Sequence, residues 1–177
     1  MHKFALLVVD VQEALCTGQW KAFDIELVVD RINDLARRAR VAGWPVIFIQ
    51  HEDDETLKFG TDGWQLYQRL DTKPDDQRVR KTVSNAFHHT ELASLLEAQG
   101  VSSLVICGLQ SEFCIASTVR GALGLGYSVV LAADAHSTID NSGVHAAQIS
   151  AHQNTLFANS KNDGAQIQVI SAAEISI

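Results

Sequence analysis

Short apolar runs recur along the chain at intervals that suit buried strands. Five of them, and a shorter sixth segment rich in arginine, lie at 4–9, 46–49, 104–107, 129–132, 167–170 and 78–80. Runs of this length are too short for helices, and continuous apolar sequence is typical of strands that are covered on both faces. The pattern therefore predicts a buried, largely parallel sheet.

Helical patterns fill the intervals between these runs. Apolar residues recur at helical spacing over 25–36 and over 92–96, and Asp24 and Thr90 stand where N-caps are expected. Strands that alternate with helices form β-α-β units, and a parallel sheet needs helices on both faces. We expect a three-layer α/β/α fold, built as a single domain over 1–177, since this length suits one core.

Composition narrows the possible partners and location. The formal charge is -7, from 21 acidic and 14 basic residues, with no dense Lys/Arg cluster, so nucleic acid is not an expected partner. No apolar run reaches the ~18 residues of a membrane helix, and the N-terminal residues lack the apolar core of a signal peptide. We expect a cytoplasmic protein with no membrane contact, whose three cysteines are reduced.

One long segment, 52–75, has no clear strand character. Its charges, two glycines and Trp64 predict a loop with a short helix. Loops of this length usually border a functional site.

Three chemically reactive residues follow apolar or short strand segments. Asp10 ends the first run, Lys81 follows 78–80, and Cys114 lies a few residues after the run that closes at Cys107. Ligands of open parallel sheets bind beyond the carboxyl ends of the strands, so these side chains can converge there. Considered singly, a buried cysteine, a surface lysine and a capping aspartate are each more common than a catalytic role.

Together, the three residues fit acyl transfer by a thiol. A neighbouring ammonium and a helix N-terminus lower a thiol pKa, and Lys81 and the helix beginning near Cys114 can supply both. Asp10 is the candidate for moving the proton between thiol and leaving amine. Of the other cysteines, Cys107 is expected in the core, and Cys16, in a polar stretch, has no expected role.

The chain resembles the isochorismatase-like cysteine hydrolases in three segments. These are Leu7-Val8-Val9-Asp10-Val11-Gln12, then Arg80-Lys81 leading to Asn85-Ala86-Phe87, then Cys107-Gly108-Leu109-Gln110-Ser111-Glu112-Phe113-Cys114. The resemblance implies a six-stranded parallel sheet of order 3-2-1-4-5-6 and an Asp-Lys-Cys triad that falls on Asp10, Lys81 and Cys114. It also implies a covalent cysteine adduct, a cis peptide between Leu109 and Gln110, and an oxyanion hole formed by the N–H groups of Gln110 and Cys114.

The resemblance also suggests pocket residues and an assembly. His51, Glu52, Phe87 and His136 are predicted to contact substrate. Nicotinamidase-like relatives bind a metal through Asp-x-His after the second strand, whereas this chain has Gln50-His51-Glu52-Asp53 there, so we expect neither metal nor other cofactor. We further expect a homo-oligomer, a dimer or tetramer, with Trp64 and Phe59 in a subunit contact.

Three functions remain open at this point. The first is cysteine-dependent hydrolysis of an amide or related C–N bond in a small molecule. The second is isochorismatase-type vinyl-ether hydrolysis, which depends on the aspartate. The third is a non-catalytic, thiol-bearing oligomeric binding protein.

Overall fold

A six-stranded parallel sheet forms the centre of the molecule. The structure, a computed structural model, describes residues 3–160 and 164–177; Met1 and His2, part of the N-terminal stretch used above, lie outside them. The strands are β1 (Phe4–Val9), β2 (Val46–His51), β3 (Gln77–Lys81), β4 (Ser103–Leu109), β5 (Ser128–Ser137) and β6 (Ile167–Ile170). Their order is β3-β2-β1-β4-β5-β6, all neighbours are parallel, and the predicted order 3-2-1-4-5-6 is confirmed.

Helices cover both faces of this sheet, as a buried parallel sheet requires. They are α1 (Glu13–Cys16), α2 (Ile25–Val41), α3 (Leu92–Ala98), α4 (Ala116–Gly124) and α5 (Ala146–Ala158). Alternate residues of β1 point to opposite faces. Leu6 and Val8 pack with α2, while Leu7 and Val9 pack with α3, α4 and Phe157 of α5. The predicted three layers are confirmed.

Several local predictions need correction. Asp24 is the N-cap residue of α2 but makes no side-chain capping bond. Thr90 lies one residue before the N-cap of α3, where its hydroxyl still accepts the N–H of Leu92 at 3.3 Å. Strand β3 includes Lys81 as its last residue, and β5 runs to 137, past a register shift in its pairing with β4.

Glycine is required where β4 passes β1. Gly108 has φ +116, and a Cβ built there would lie 2.1 Å from the backbone oxygen of Val9. Any side chain would push the two central strands apart at the end that carries the reactive residues. Gly108 therefore fixes the distance between the loops that follow β1 and β4.

Cys16 and Trp64 are more buried than their sequence surroundings indicated. Cys16 ends α1 and packs into the core beside α2, although it was expected to have no role. Trp64 lies in a short 3-10 helix, Asp62–Trp64, within the predicted long loop, and only 8% of it is exposed. It packs edge-on against Phe59, which is exposed, so of the two aromatic residues predicted for a subunit contact only Phe59 is free to make one. None of the described helices is long and apolar enough to cross a membrane.

Candidate active site

Three neighbouring strands and one turn bring the reactive side chains together at the carboxyl end of the sheet. Asp10 follows β1 with a left-handed backbone, φ 52, and Cys114 lies in a π-helical turn, Ser111–Ile115, between β4 and α4. Lys81 comes from β3, two strands from β1, so roughly 10 Å separates their backbones. A long side chain is needed to close that gap, and lysine has one.

The Lys81 ammonium is the geometric centre of the cluster. Its Nζ lies 2.7 Å from Oδ2 of Asp10, 3.2 Å from Sγ of Cys114 and 3.0 Å from Nδ1 of His51. The side chains of Lys81 and Asp10 are 0% and 2% exposed. The second carboxylate oxygen of Asp10, Oδ1, is also buried and has no hydrogen-bond partner in the described part of the chain. Asp10 therefore keeps one acceptor free inside the site.

Burial dominates the electrostatics of the thiol. It raises the pKa of Cys114 to about 12, the negative charge of Asp10 acts in the same direction, and the nearby Lys81 cation opposes both. The prediction of a lowered Cys114 pKa is therefore wrong. The free energy lost when the thiolate is removed from water is larger than its stabilisation by the neighbouring ammonium. In the resting site the thiol holds its proton, and a base is needed to remove it.

The same geometry bears on metal binding. Ligand atoms of Asp10, His51 and Cys114 all lie within 4.8 Å of one another, which is close enough to surround an ion. The Lys81 ammonium already lies within hydrogen-bond distance of each residue. A cation bound through the atoms that now contact Lys81, namely Oδ2 of Asp10 and Nδ1 of His51, would have to displace the ammonium.

His51 is held in place through its backbone. The Gln12 side chain is fully buried; its Nε2 donates to the carbonyl oxygen of His51 at 2.9 Å, and its Oε1 accepts the His51 N–H at 2.9 Å. The same Nε2 donates to the carbonyl oxygen of Trp64, which ties the long loop to the strand ends. Gln12 ends the first of the three sequence segments that resemble the isochorismatase-like hydrolases. Its hydrogen-bond partners could not be inferred from that segment.

A cavity of about 380 Å³ opens onto the thiol, a volume within the range of small-molecule sites. Asp10, His51, Gln110 and Cys114 line it with polar groups. The rest of the lining comes from the following residues, most of them apolar: Leu15, Trp20, Asp53, Thr56, Leu57, Ser84, Phe113 and Ile139. The long loop contributes three of them, as predicted for a loop bordering the site.

Gln110 lines the same cavity as Cys114. The peptide bond between Leu109 and Gln110 is cis. The carbonyl oxygen of Gln110 accepts the N–H groups of Phe113 and Ile115, at 3.1 Å each, while its own N–H donates to no described residue. An uncommitted N–H at a cavity wall can stabilise an oxyanion.

Three of the four predicted substrate contacts lie outside this cavity. Glu52 instead pairs with Arg80 at 2.8 Å, and Phe87 stacks on Tyr127 with ring centroids 5.8 Å apart. His136 is 3% exposed, beneath the turn that carries Cys114. Of the predicted set, His51 alone lines the cavity.

His136 belongs to a buried polar network behind the nucleophile turn. Its Nδ1 lies 2.8 Å from Oγ of Ser111, and its Nε2 lies 2.9 Å from Oδ1 of Asn154. Asn154 donates through Nδ2 to the carbonyl oxygen of Ala133, so its Oδ1 faces the imidazole. The His136 proton is then on Nε2, Ser111 donates to Nδ1, and burial lowers the His136 pKa, which keeps the ring neutral.

Sequence reasoning missed most of the apolar lining and this network. Trp20 and Phe113 are partly exposed aromatic residues at the cavity, and Ile139 follows β5. The position of Ile139 after a strand was a usable signal. Neither Asn154 of α5 nor Trp20, which ends the short 3-10 helix Gly18–Trp20, had a sequence signal of that kind.

Comparison with known proteins agrees with this architecture. The model of the Isochorismatase domain matches residues 4–160. A streptothricin hydrolase from Streptomyces noursei is 43% identical over 138 residues, which cover 77% of this chain and 50% of that protein. The chain thus spans about half the length of that relative.

Two further matches cover more of the matched protein. A ureidoacrylate amidohydrolase from Pseudomonas syringae pv. syringae (strain B728a) is 30% identical over an alignment length of 169, and the match covers 74% of this chain and 69% of that protein. The crystal structure of a cysteine hydrolase from Pseudomonas syringae pv. phaseolicola 1448A superposes with a TM-score of 0.89 at 25% identity, covering 97% of this chain and 90% of that one. With its sheet order, motifs and family-model match in agreement, the chain belongs to the isochorismatase family, in the isochorismatase-like hydrolase superfamily that its sequence resembles.

Proposed function

We propose that this protein is a cysteine hydrolase that cleaves an amide or related C–N bond in a small molecule through a covalent acyl-enzyme. The observation that carries the proposal is the buried contact of the Lys81 ammonium with both the Asp10 carboxylate and the Cys114 thiol at the floor of a cavity. A carboxylate, a cation and a thiol in such contact are the groups that acyl transfer by cysteine needs.

In acylation, Asp10 takes the thiol proton as the Cys114 sulfur attacks the substrate carbonyl carbon. The free Oδ1 of Asp10 is available to accept that proton, and the Lys81 cation at 3.2 Å stabilises the negative sulfur. The N–H groups of Gln110 and Cys114 stabilise the oxyanion that forms. When the tetrahedral intermediate collapses, the C–N bond breaks, the amine leaves with the proton from Asp10, and a thioester remains on Cys114.

Deacylation reverses these roles. Asp10 removes a proton from water, whose oxygen attacks the thioester carbonyl, and the second tetrahedral intermediate expels the sulfur. The proton on Asp10 returns to Cys114, so the resting thiol is restored and the acid product leaves. The high pKa of Cys114 fits this cycle, because the thiol is a proton donor at rest and a nucleophile only while Asp10 holds the proton.

The substrate is proposed to be a small amide with an apolar part. The cavity is large enough for one compact molecule, and apolar side chains such as Leu15, Trp20 and Ile139 contribute to its lining. The relatives are named for streptothricin and ureidoacrylate hydrolysis. These two compounds, nicotinamide and a carbamoylated amine form a first panel of amide and ureido substrates.

Product release on this panel, with Cys114→Ala beside the natural protein, tests the proposal. We expect turnover of at least one compound, its loss in Cys114→Ala, and a mass increase equal to the acyl group on Cys114 in quenched reactions. Cys16→Ala is the control thiol, since Cys16 is buried outside the cavity and should not affect turnover. Undiminished amide turnover in Cys114→Ala would refute the mechanism, and cleavage of isochorismate by that variant would favour the vinyl-ether chemistry instead.

A further inference from the structure

We infer that His51 has two functions in one ring: its Nδ1 is the third acceptor that fixes the Lys81 ammonium, and its Nε2–H is a hydrogen-bond donor to an oxygen of the substrate. The inference deepens the proposed function and rests on it for the substrate half. It makes His51 a positioning residue for Lys81 and a specificity residue for substrates that carry an acceptor oxygen near the scissile bond.

The three donors of the Lys81 ammonium need three acceptors, and His51 provides the third. An ammonium group has three N–H donors and no acceptor. Lys81 is buried, and within the described residues its three contacts are the carboxylate of Asp10, the sulfur of Cys114 and Nδ1 of His51. Without His51, one N–H of a buried cation would lack a partner, a costly state for a charged group. The imidazole is therefore part of what holds the ammonium against the thiol.

The contact of Nδ1 with Lys81 also decides which nitrogen of His51 carries the proton. A ring nitrogen that accepts from an ammonium carries no proton, so the proton of neutral His51 is on Nε2. Burial and the adjacent Lys81 cation both lower the His51 pKa, which agrees with a neutral ring. Nε2 has no partner among residues 3–160 and 164–177, and His51 lines the cavity. The Nε2–H is thus an unused donor beside the substrate space.

The backbone of His51 is fixed beside Lys81, and the Lys81 contact orients its ring. Gln12 holds both the N–H and the carbonyl oxygen of His51, and His51 is paired with Lys81 at the ends of β2 and β3. Because both residues start from adjacent, fixed positions, the imidazole reaches the ammonium without any shift of the backbone. A substrate oxygen on Nε2 is therefore held at a set distance from the thiol that Lys81 contacts.

Two conservative substitutions separate the two functions. The side-chain amide of asparagine reaches the position of Nδ1 and can accept from Lys81, but it leaves the position of Nε2 empty. The amide of glutamine reaches the position of Nε2 and can donate to substrate, but it leaves the Nδ1 position without an acceptor. His51→Asn should therefore preserve the hold on Lys81, and His51→Gln should preserve the contact with substrate.

Steady-state kinetics on a turned-over amide is the first experiment. Loss of one hydrogen bond corresponds to about a tenfold effect. We expect His51→Asn to raise KM about tenfold with a smaller change in kcat, and His51→Gln to lower kcat about tenfold with a smaller change in KM. His152→Asn and His152→Gln, at an exposed position on α5, are the matched controls and should behave as the natural protein. Equal effects of the two His51 variants on the same parameter would overturn the inference.

Alkylation of Cys114 by iodoacetamide, without substrate, is the second experiment and needs no turnover. If His51 holds the ammonium on the sulfur, His51→Gln should slow alkylation at least about threefold, because the thiolate loses part of its stabilising cation. His51→Asn should react like the natural protein. Thermal unfolding of each variant identifies any that fail to fold. An unchanged alkylation rate in a folded His51→Gln would remove the positioning function, even if no amide on the panel is a substrate.

Discussion

The buried contact between Lys81 and Asp10 gives the sharpest stability prediction. Replacement of Lys81 by methionine keeps an unbranched chain of similar length and removes the charge. The Asp10 carboxylate then remains in a site where its side chain is 2% exposed and its nearest cation, formerly at 2.7 Å, is gone. An uncompensated buried carboxylate is among the few single changes that destabilise a domain severely.

The expected magnitude is about 3 to 5 kcal/mol in the free energy of unfolding, the usual cost of removing one partner from a buried pair. For a chain of this length that corresponds to roughly 6 to 20 °C in the thermal midpoint. The double variant Asp10→Asn/Lys81→Met removes both charges, so its loss should be smaller than the sum of the two single losses. Asparagine is the right replacement at position 10, because the backbone there has φ 52 and asparagine tolerates that region.

Urea unfolding of the two single variants and the double variant measures this coupling. Lys21→Met is the matched control: Lys21 also lies 2.7 Å from a carboxylate, that of Glu26, but both side chains are exposed. That control should leave the unfolding midpoint unchanged. If Lys81→Met unfolds at the midpoint of the natural protein, or if the single losses add in the double variant, the reasoning about a buried coupled pair is refuted.

Three other positions give measurable outcomes. Because burial raises the pKa of the Cys114 thiol to about 12, its alkylation rate should keep rising with pH up to at least about pH 10, and a plateau below about pH 8 would contradict this. Gly108→Ala should cost at least about 2 kcal/mol in urea unfolding, because its Cβ would meet the β1 backbone, whereas Gly124→Ala enters open space and should be neutral. Asn154→Leu should cost about 1 to 3 kcal/mol and lower kcat, because it leaves the Nε2–H of the buried His136 without an acceptor, and the exposed Asn159→Leu is its control.

The sheet could be predicted from the sequence because its strands are buried on both faces. Continuous apolar runs such as 4–9 and 104–107 leave little choice of element, and the observed strands contain them. Strands and helices whose side chains are only partly buried were harder to predict from the sequence. The part of β5 beyond residue 132 includes Asp134 and His136, whose polar side chains hid the strand. The helix α5 also has few buried side chains, so its pattern gave no clear helical period.

Positions of the reactive residues were predictable, but their energetics were not. Asp10 directly follows β1 and Lys81 is the last residue of β3, and in a parallel sheet these positions alone put both residues at the same edge. The pKa of Cys114 depends on how much water reaches the sulfur, which is set by side chains from five separate segments around the cavity. A sequence shows that a lysine can approach a cysteine, and it does not show that burial outweighs the lysine charge.

Two histidines show why the sequence alone did not separate cavity residues from buried ones. His51 and His136 both stand near the ends of strands, yet His51 lines the cavity and His136 lies beneath it. What separates them is β5, which continues through position 136 and carries that side chain under the turn of Ser111, whereas β2 ends at position 51. The end of a strand is decided by its neighbours in the sheet, and those contacts are distant in sequence.

The geometry around Nζ explains why a lysine, and not another cation, suits this site. Three acceptors, two at the ends of β1 and β2 and one in the turn after β4, converge on one nitrogen at 2.7 to 3.2 Å. An arginine would bring a planar group with five donors, of which the cluster can accept three, so two donors would lack a partner there. A divalent metal in the same place would bind the sulfur as a thiolate, which removes the proton that the proposed cycle returns to the leaving amine. A compact monovalent cation stabilises the thiolate when it forms and leaves the thiol protonated at rest, and this is the balance that the proposed exchange between Asp10 and Cys114 requires.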